Sequence, residues 1–425
     1  MNIYLLIILL ALVGRYALAA LADWLNLRHV QEAVPAEFAG CYDAEKYRKG
    51  QQYLRDSTWM ELIDDTVGTV AILAFVLLGG FNVADRLARS FGLGSILTGL
   101  IFGGVLVLAS RLLQLPFSVY ETFVLEERYG FNRTTVRTFI LDLAKALLLT
   151  ALLGGAVFAG VIWFFDTAGA RAWLYCWLAV TGFEAVLVFV APYVIMPLFN
   201  KFVPLKEGDL RTAIETYAHS QRFKMRGVFT MDGSRRSART NAFFTGFGRS
   251  RRIVLFDTLI EKHTVPELVA VVAHEMGHCR KHHILWGLLR MALLSGLTFL
   301  LLSFFINNRG LFDAFLMEQL SVYASLVFFG FLYAPVGLVV SMAENAISRR
   351  HEYEADAYAA RTTGDAEAMI AALKKLSVDN LSNLTPHPFK VFLTYSHPPV
   401  LQRIAALRAA GRDAARRTEG VANAD

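Results

Sequence analysis

The chain has 425 residues, 55% of them hydrophobic, with 32 Phe and a mean hydropathy of +0.43, a composition that excludes an ordinary soluble domain and indicates a polytopic membrane protein. The net charge of +6 does not mark a nucleic-acid binder, because the basic residues gather in loops between apolar spans. Cys41, Cys176 and Cys279 are too few and too scattered for a disulfide framework or a Cys-type metal site.

The first apolar span, about 3–22, lacks a basic leading region and a small-residue cleavage site, and reads as a retained helix. Further spans fall at about 67–84, 94–113, 140–165, 172–199, 284–306 and 321–344, each near or above the roughly 20 residues that cross a bilayer. The expected fold is therefore mainly α, a polytopic membrane protein with seven transmembrane helices. An odd number of spans puts the two termini on opposite sides. The 200–283 loop carries 15 Lys and Arg, against Arg86, Arg89, Arg171 and Arg309 in the short loops opposite, so the long-loop side is expected to be cytoplasmic and the N-terminus outside. Arg15, Lys145, Glu184 and Arg290 lie within spans. Arg15 and Lys145 are near enough to span ends to snorkel, whereas mid-span Glu184 should face a protein interior or a watery cavity.

Residues 1–199 thus form helices 1–5 with their loops, and 200–283 a soluble subdomain. Within it, Asp209 to Arg222 reads as a helix, and Val228–Met231 as a strand ending at the Asp232-Gly233 turn. Asn241-Ala242-Phe243-Phe244 and Ile253–Phe256 read as two strands around a Gly/Arg/Ser turn. The subdomain ends in a helix opened by Thr264, Pro266 and Glu267, in capping-box spacing, and carrying His274-Glu275-Met276-Gly277-His278. This is an HExxH motif. On a helix, His274 and His278 project from one face, a spacing that binds a single zinc ion, with Glu275 beside them to take a proton from water. The extension HExxHxxGxxH is absent, since Lys281 and Ile284 stand where Gly and His would be. His282 and His283 are not expected to touch the metal. If the site is a peptidase, the free edge of the small sheet would pair with an extended substrate.

Residues 284–344 form helices 6 and 7, and 345–410 a C-terminal segment. In Arg349-Arg350-His351-Glu352-Tyr353-Glu354-Ala355-Asp356, the acids Glu352 and Asp356 share a helix face. Glu352 would complete a His2Glu zinc set, and Asp356 would orient a ligand histidine. Spacing alone leaves Glu354 and His351 as rival ligands.

The two motifs in this membrane setting resemble the type I CAAX prenyl proteases, integral-membrane zinc endopeptidases. Glu126-Glu127-Arg128-Tyr129-Gly130-Phe131-Asn132, Met196-Pro197-Leu198-Phe199-Asn200-Lys201-Phe202 and Met231-Asp232-Gly233-Ser234-Arg235-Arg236-Ser237 fit the same family. So do Arg252–Leu259 and Ser396-His397-Pro398-Pro399-Val400-Leu401-Gln402-Arg403-Ile404, and the likeness runs from about 40 to 410. The resemblance implies seven helices around a water-filled chamber with the zinc site near its cytoplasmic end. It implies His274, His278 and Glu352 as ligands over Glu354 and His351. It also implies Asn241 and Ala242 as the substrate edge, extended here through Phe243 and Phe244, and His397 and Arg403 as contacts to the substrate carbonyl or transition state. From position alone, His397 would also serve as a cap before Pro398-Pro399.

The tail, 411–425, reads as disordered and lacks a dilysine-type retrieval signal, which favours a bacterial inner membrane over the endoplasmic reticulum. The leading expectation is one Zn2+ per chain and hydrolysis of peptide or protein substrates, with a lipid-modified or hydrophobic C-terminus if the family's substrate class carries over. The partners are then substrate and membrane lipid, with no nucleic acid. A quality-control protease acting on unprenylated or damaged membrane proteins is the alternative. A seven-helix transporter or receptor with a structural metal is disfavoured, because Glu275 would have no reason to sit between two ligands.

Overall fold

The computed structural model of the chain describes residues 2–246 and 251–422. Helix α1 (Ile3–Arg28) is capped by the Asn2 side chain, which accepts from the Tyr4 and Leu5 N–H groups. Helices α2 (Ala44–Leu77) and α3 (Gly80–Arg89) meet at a 67° bend. Gly79 makes the corner at φ 73°, a left-handed conformation that glycine adopts without steric cost. Helices α4 (Ser95–Tyr129) and α5 (Val136–Thr167) follow, each with one π turn, at Glu121–Leu125 and Thr150–Gly154. Then come α6 (Ala172–Val190), α7 (Asp209–Ser220), α8 (Val265–Arg280), α9 (His283–Ser303), α10 (Val322–Thr363), α11 (Ala366–Asp379) and α12 (Val400–Ala422).

Among the described residues, six helices are long and apolar enough to cross a membrane, or seven if the bent α2–α3 pair is one span. That agrees with the seven spans expected, with three differences of detail. The expected span 67–84 straddles the α2–α3 corner, so it is a broken element and not one rod. The span placed at 172–199 ends as a helix at Val190, followed by turns and a short helix at Met196–Phe199. The span at 321–344 is only the first half of the 42-residue α10, which runs straight on into the segment bearing Glu352. The tail read as disordered from 411 continues α12 through Ala422, and 423–425 lie outside the described residues.

The subdomain between α6 and α9 holds a four-stranded sheet in the order β1 (Phe202–Pro204), β2 (Gly227–Met231), β4 (Arg252–Phe256), β3 (Ala242–Thr245). β2 and β4 run parallel, and β3 returns antiparallel on β4 with Ala242 opposite Leu255 and Phe244 opposite Ile253. β3 is therefore an edge strand. β1 was not foreseen, because three residues are too few to show alternation. The turn between β3 and β4 falls at 247–250, outside the described residues.

The inner face of this sheet packs on α8. Val228, Ile253 and Leu255 join Leu268, Val272 and Met276 in one apolar core, with Ala359 of α10 and Ala372 of α11. A separate aromatic core, Phe81, Phe102, Phe312, Phe315 and Phe328, ties α3, α4 and the start of α10 together far along the chain from the motifs. Mid-span Glu184 has one carboxylate oxygen buried in the protein without a hydrogen-bond partner among the described residues, and Arg290 is paired with Glu344 at 3.0 Å.

Candidate active site

Helix α8 starts as its sequence demands. Thr264 and Glu267 form the reciprocal capping box, with the Thr264 N–H donating to Glu267 Oε2 at 2.9 Å. Lys375 from α11 holds the same carboxylate at 2.8 Å. Fixing the first turn fixes the phase of the helix, and the phase sends His274 and His278 toward α10. Gly277 lets the two helices touch. A Cβ there would lie 3.0 Å from the Ala355 Cα, 3.1 Å from its carbonyl oxygen and 3.2 Å from the Tyr358 Cβ. The unspecified second x of HExxH is thus constrained by packing.

Across this close contact, His274, His278 and Glu352 offer ligand atoms that lie within 4.8 Å of one another. The two Nε2 atoms are 3.1 Å apart. His278 Nε2 is 3.3 Å from Glu352 Oε1, and His274 Nε2 is 3.6 Å from Glu352 Oε2. Ligands about 2.0–2.1 Å from a tetrahedral zinc are about 3.3–3.4 Å from each other, so this donor set has the spacing of a three-ligand zinc site. Glu352 Oε2 adds a second sign of fit, being buried and without a hydrogen bond of good geometry among the described residues. The rivals do not share the site: Glu354 pairs with Arg350 at 3.1 Å and faces His283, and the His351 ring stacks on His283 at 3.8 Å.

Behind the ligands lies a buried ion cluster. Asp356 Oδ1 is 2.8 Å from His274 Nδ1. An ionised carboxylate only accepts, so His274 carries its proton on Nδ1 and presents a lone pair at Nε2. Arg403, from α12, donates to Asp356 through Nε at 2.8 Å and Nη2 at 2.7 Å, and its Nη1 lies 3.1 Å from Glu352 Oε2. Burial disfavours the Arg403 charge, but Asp356 and Glu352 outweigh it and hold the guanidinium firmly charged. The resemblance implies a substrate contact for Arg403; here its donors reach Asp356 and the Glu352 oxygen that His397 also faces.

His397 sits at the opposite, open side. Its Nδ1 is 3.0 Å from Glu352 Oε2, and its side chain is 65% exposed. The segment leading to it is clamped to α10: Arg349 Nη1 donates to the Tyr395 carbonyl at 2.6 Å and the Val391 carbonyl at 3.1 Å, and Asn345 donates to the Leu393 carbonyl at 3.1 Å. Neither Arg349 nor Asn345 was singled out in the sequence, because their partners are backbone carbonyls that leave no side-chain motif.

Glu275 is partly buried beside the ligands. Burial pushes its carboxyl above the ordinary value of 4.5, opposed by His274 and His278, reinforced by Glu352 and opposed again by Arg403.

On the sheet side, β3 packs against α8 with Ala242 and Phe244 turned into the shared core, while Phe243 meets Phe256 edge-on at 6.3 Å. Asn241 precedes the strand, and its carbonyl accepts from the Phe256 N–H at 3.1 Å. The outer edge of β3 has no strand partner among the described residues.

Two family models match the chain. The model described as the CAAX prenyl protease N-terminal, five membrane helices, covers residues 23–201, and that of peptidase family M48 covers 204–410. The chain is 36% identical to a CAAX prenyl protease 1 homolog of Oryza sativa subsp. japonica, over 88% of this chain and 90% of that one. It is 33% identical to the Homo sapiens CAAX prenyl protease 1 homolog, over 88% of each. The crystal structure of S. mikatae Ste24p superposes with a TM-score of 0.90 at 30% identity, covering 96% of this chain and 99% of that one. A helix-borne HExxH, a carboxylate from a second helix and an apolar multi-helix frame agree with these matches: the chain belongs to peptidase family M48, among the type I CAAX prenyl proteases, and is an integral-membrane metallopeptidase.

Proposed function

We propose that this metallopeptidase uses one zinc ion held by His274, His278 and Glu352 to cleave proteins near a lipid-modified or hydrophobic C-terminus. The observation that carries the reading is the convergence of the three ligand atoms within 4.8 Å, with Glu275 on the same helix as two of them. Zinc in such a site supplies Lewis acidity, acidifying water and polarising a carbonyl. Glu275 accepts the proton of the attacking water and delivers it to the leaving amine as the peptide bond breaks. Asp356 holds His274 in its ligating tautomer, and Arg403 keeps Asp356 and Glu352 ionised and oriented. Arg403 is therefore proposed as a positioning residue. His397, open to solvent and anchored by Glu352, stabilises charge on the scissile carbonyl oxygen, where losing one such group costs on the order of 100- to 1,000-fold in rate.

The substrate is proposed to add as a strand to the outer edge of β3, with Asn241, Ala242, Phe243 and Phe244 setting its register. The names of the relatives support a CAAX-type, prenylated substrate. The surplus of Lys and Arg in 200–283 supports a cytoplasmic site with the N-terminus outside.

Cleavage of matched peptides by the purified protein in detergent tests the proposal. A farnesylated CAAX peptide, its unprenylated twin and an unfolded protein are each offered to wild type and Glu275→Gln, with zinc counted in both. The expected result is one zinc per chain and Glu275-dependent cleavage that prefers the farnesylated peptide. Equal cleavage of the unprenylated or unfolded substrates would replace the processing role with quality control. Freshly isolated protein without zinc would overturn the metal assignment.

A further inference from the structure

The two histidines of the HExxH motif are supported differently. His274 Nδ1 rests directly on a carboxylate, Asp356. Among the described residues, His278 Nδ1 meets no carboxylate; it lies 3.0 Å from another ring nitrogen, Nδ1 of His283. A contact between two imidazole nitrogens leaves the proton's position open, since either ring could donate. If His283 donated, His278 would carry its proton on Nε2 and could not offer that atom to a metal.

The far side of His283 settles the direction. Its Nε2 lies 3.3 Å from Glu354 Oε2, and the other oxygen of Glu354 accepts from Arg350 Nε at 3.1 Å. Glu354, as an ionised acceptor, requires the proton of neutral His283 on Nε2. That leaves a lone pair on His283 Nδ1, which in turn requires the proton of His278 on Nδ1. The Nε2 lone pair of His278 then points at the same place as that of His274. The opposite arrangement would set two lone pairs against each other between His283 and Glu354.

The backbone is built to make this contact. α8 ends at Arg280, and His282 adopts φ 58°, ψ 27°, a left-handed conformation uncommon for a residue with a Cβ. That reversal starts α9 at His283 and folds its side chain back onto His278. The ring is buried at 7% exposure and stacked on His351 with an interplanar angle of 7°, so its orientation is fixed from both sides.

We propose that His283 and Glu354 form a positioning relay that selects the metal-ligating tautomer of His278 and so sets the metal affinity of the site. The inference rests on the reading of His278 as a ligand. Its test separates the two. Full-length protein in detergent is stripped with a chelator and titrated with zinc against a fluorescent competitor. The variants are His278→Ala, His283→Phe, His283→Asn and Glu354→Leu, and the melting temperature of each stripped protein is recorded.

Loss of tight zinc binding in His278→Ala establishes the ligand; wild-type affinity in that variant would overturn the ligand reading and the relay with it. Given the ligand, His283→Phe, which keeps the stacked ring and removes the acceptor, is expected to weaken zinc binding about 10- to 100-fold. His283→Asn is expected to recover most of that loss, because Asn Oδ1 stands close to where Nδ1 was and can only accept. A structural role would give the reverse order, since Phe preserves packing better than Asn. Glu354→Leu leaves His283 in place and is expected to weaken binding by freeing the tautomer. Unchanged affinity in His283→Phe, or an Asn variant as weak as Phe, overturns the relay. Should His283→Phe fail to fold, Glu354→Leu decides, and wild-type affinity there overturns it equally.

Discussion

The two ends of α10 are both buried, for opposite chemical reasons. At the start, Tyr323, Ala324, Ser325 and Phe328 pack into the aromatic core, and the polar atoms there are matched to partners. Tyr323 donates to Asp85 at 2.5 Å, and Arg89 closes on the other carboxylate oxygen at 2.7 Å. Near the far end, Glu352, Ala355, Asp356 and Ala359 are buried against α8 and α12, yet Glu352 Oε2, though it faces Arg403 Nη1 and His397 Nδ1, has no well-aligned hydrogen bond among the described residues, and two histidine nitrogens stand 3.1 Å apart. A closed polar cluster holds a membrane protein together. An open one, costly to bury by itself, marks where a further group is to be bound. One helix carries both, with Pro335 between them, so the membrane frame and the candidate site share a single continuous element.

The largest expected effect sharpens the distinction. Glu275→Gln should leave bound zinc and fold unchanged while lowering kcat about 100- to 10,000-fold, as loss of a general base does. Zinc content by mass spectrometry beside peptide cleavage reads both. If zinc leaves with activity, Glu275 belongs to the ligand set and the open end has been misassigned. Asp356→Asn should weaken zinc about 10- to 100-fold, because one of the two acceptor oxygens that serve His274 Nδ1 and Arg403 Nε becomes an NH2 donor, and the two N–H groups cannot both keep an acceptor. The same change strips Arg403 of part of its counter-charge, so the melting temperature should fall too. Unaltered zinc affinity would show that the Asp356 carboxylate does not set the His274 tautomer.

Gly277→Ala tests whether the helix contact itself is limiting. The added methyl would press on the Ala355 backbone, and overpacking of this kind costs about 1–3 kcal/mol. Zinc affinity and thermal stability should both fall, since Glu352 and Ala355 move together. Tyr323→Phe, at the closed end, should cost about 1 kcal/mol for one lost hydrogen bond and leave zinc affinity unchanged. A change in zinc affinity there would mean that the two ends are coupled energetically as well as covalently.

The legible part of this molecule was the part written in local pattern. The spans follow from apolar runs, α8 from Thr264, Pro266 and Glu267, and the histidine face from a spacing of four. The pairing of α8 with α10 is not local. Glu352 lies 74 positions beyond His278, and only the family resemblance ranked it above Glu354 and His351. Gly277 was invisible as a contact, because a glycine's role depends on what approaches it. Nothing in the sequence pairs His283 with His278, because the contact depends on how the chain turns after α8. The left-handed turn at His282 ends the helix and returns the next side chain to the site. Corners of this kind carry no periodic signal. The same is true of Gly79, where a span read as continuous turns by 67°.

The smallest expected effect lies where the open end is anchored. Burial alone would raise the Glu267 carboxyl, but the hydrogen bonds from Lys375 and the Thr264 N–H, with the charges of Lys375 and His263, bring it below its ordinary value. A carboxyl lowered on folding stabilises the fold above its unfolded value of about 4.3, and that contribution is lost as pH falls through the folded value. Glu267→Gln keeps a capping-box side chain and removes the charge. Wild type should therefore exceed Glu267→Gln in stability by less than about 1 kcal/mol near pH 7, since Lys375 is 42% exposed and its ion pair is screened. The gap should persist through pH 5 and close only below pH 4. Melting curves in detergent across that range read it directly. A gap that never closed would mean that the cap's hydrogen bond, which Gln reproduces poorly, matters more than its charge.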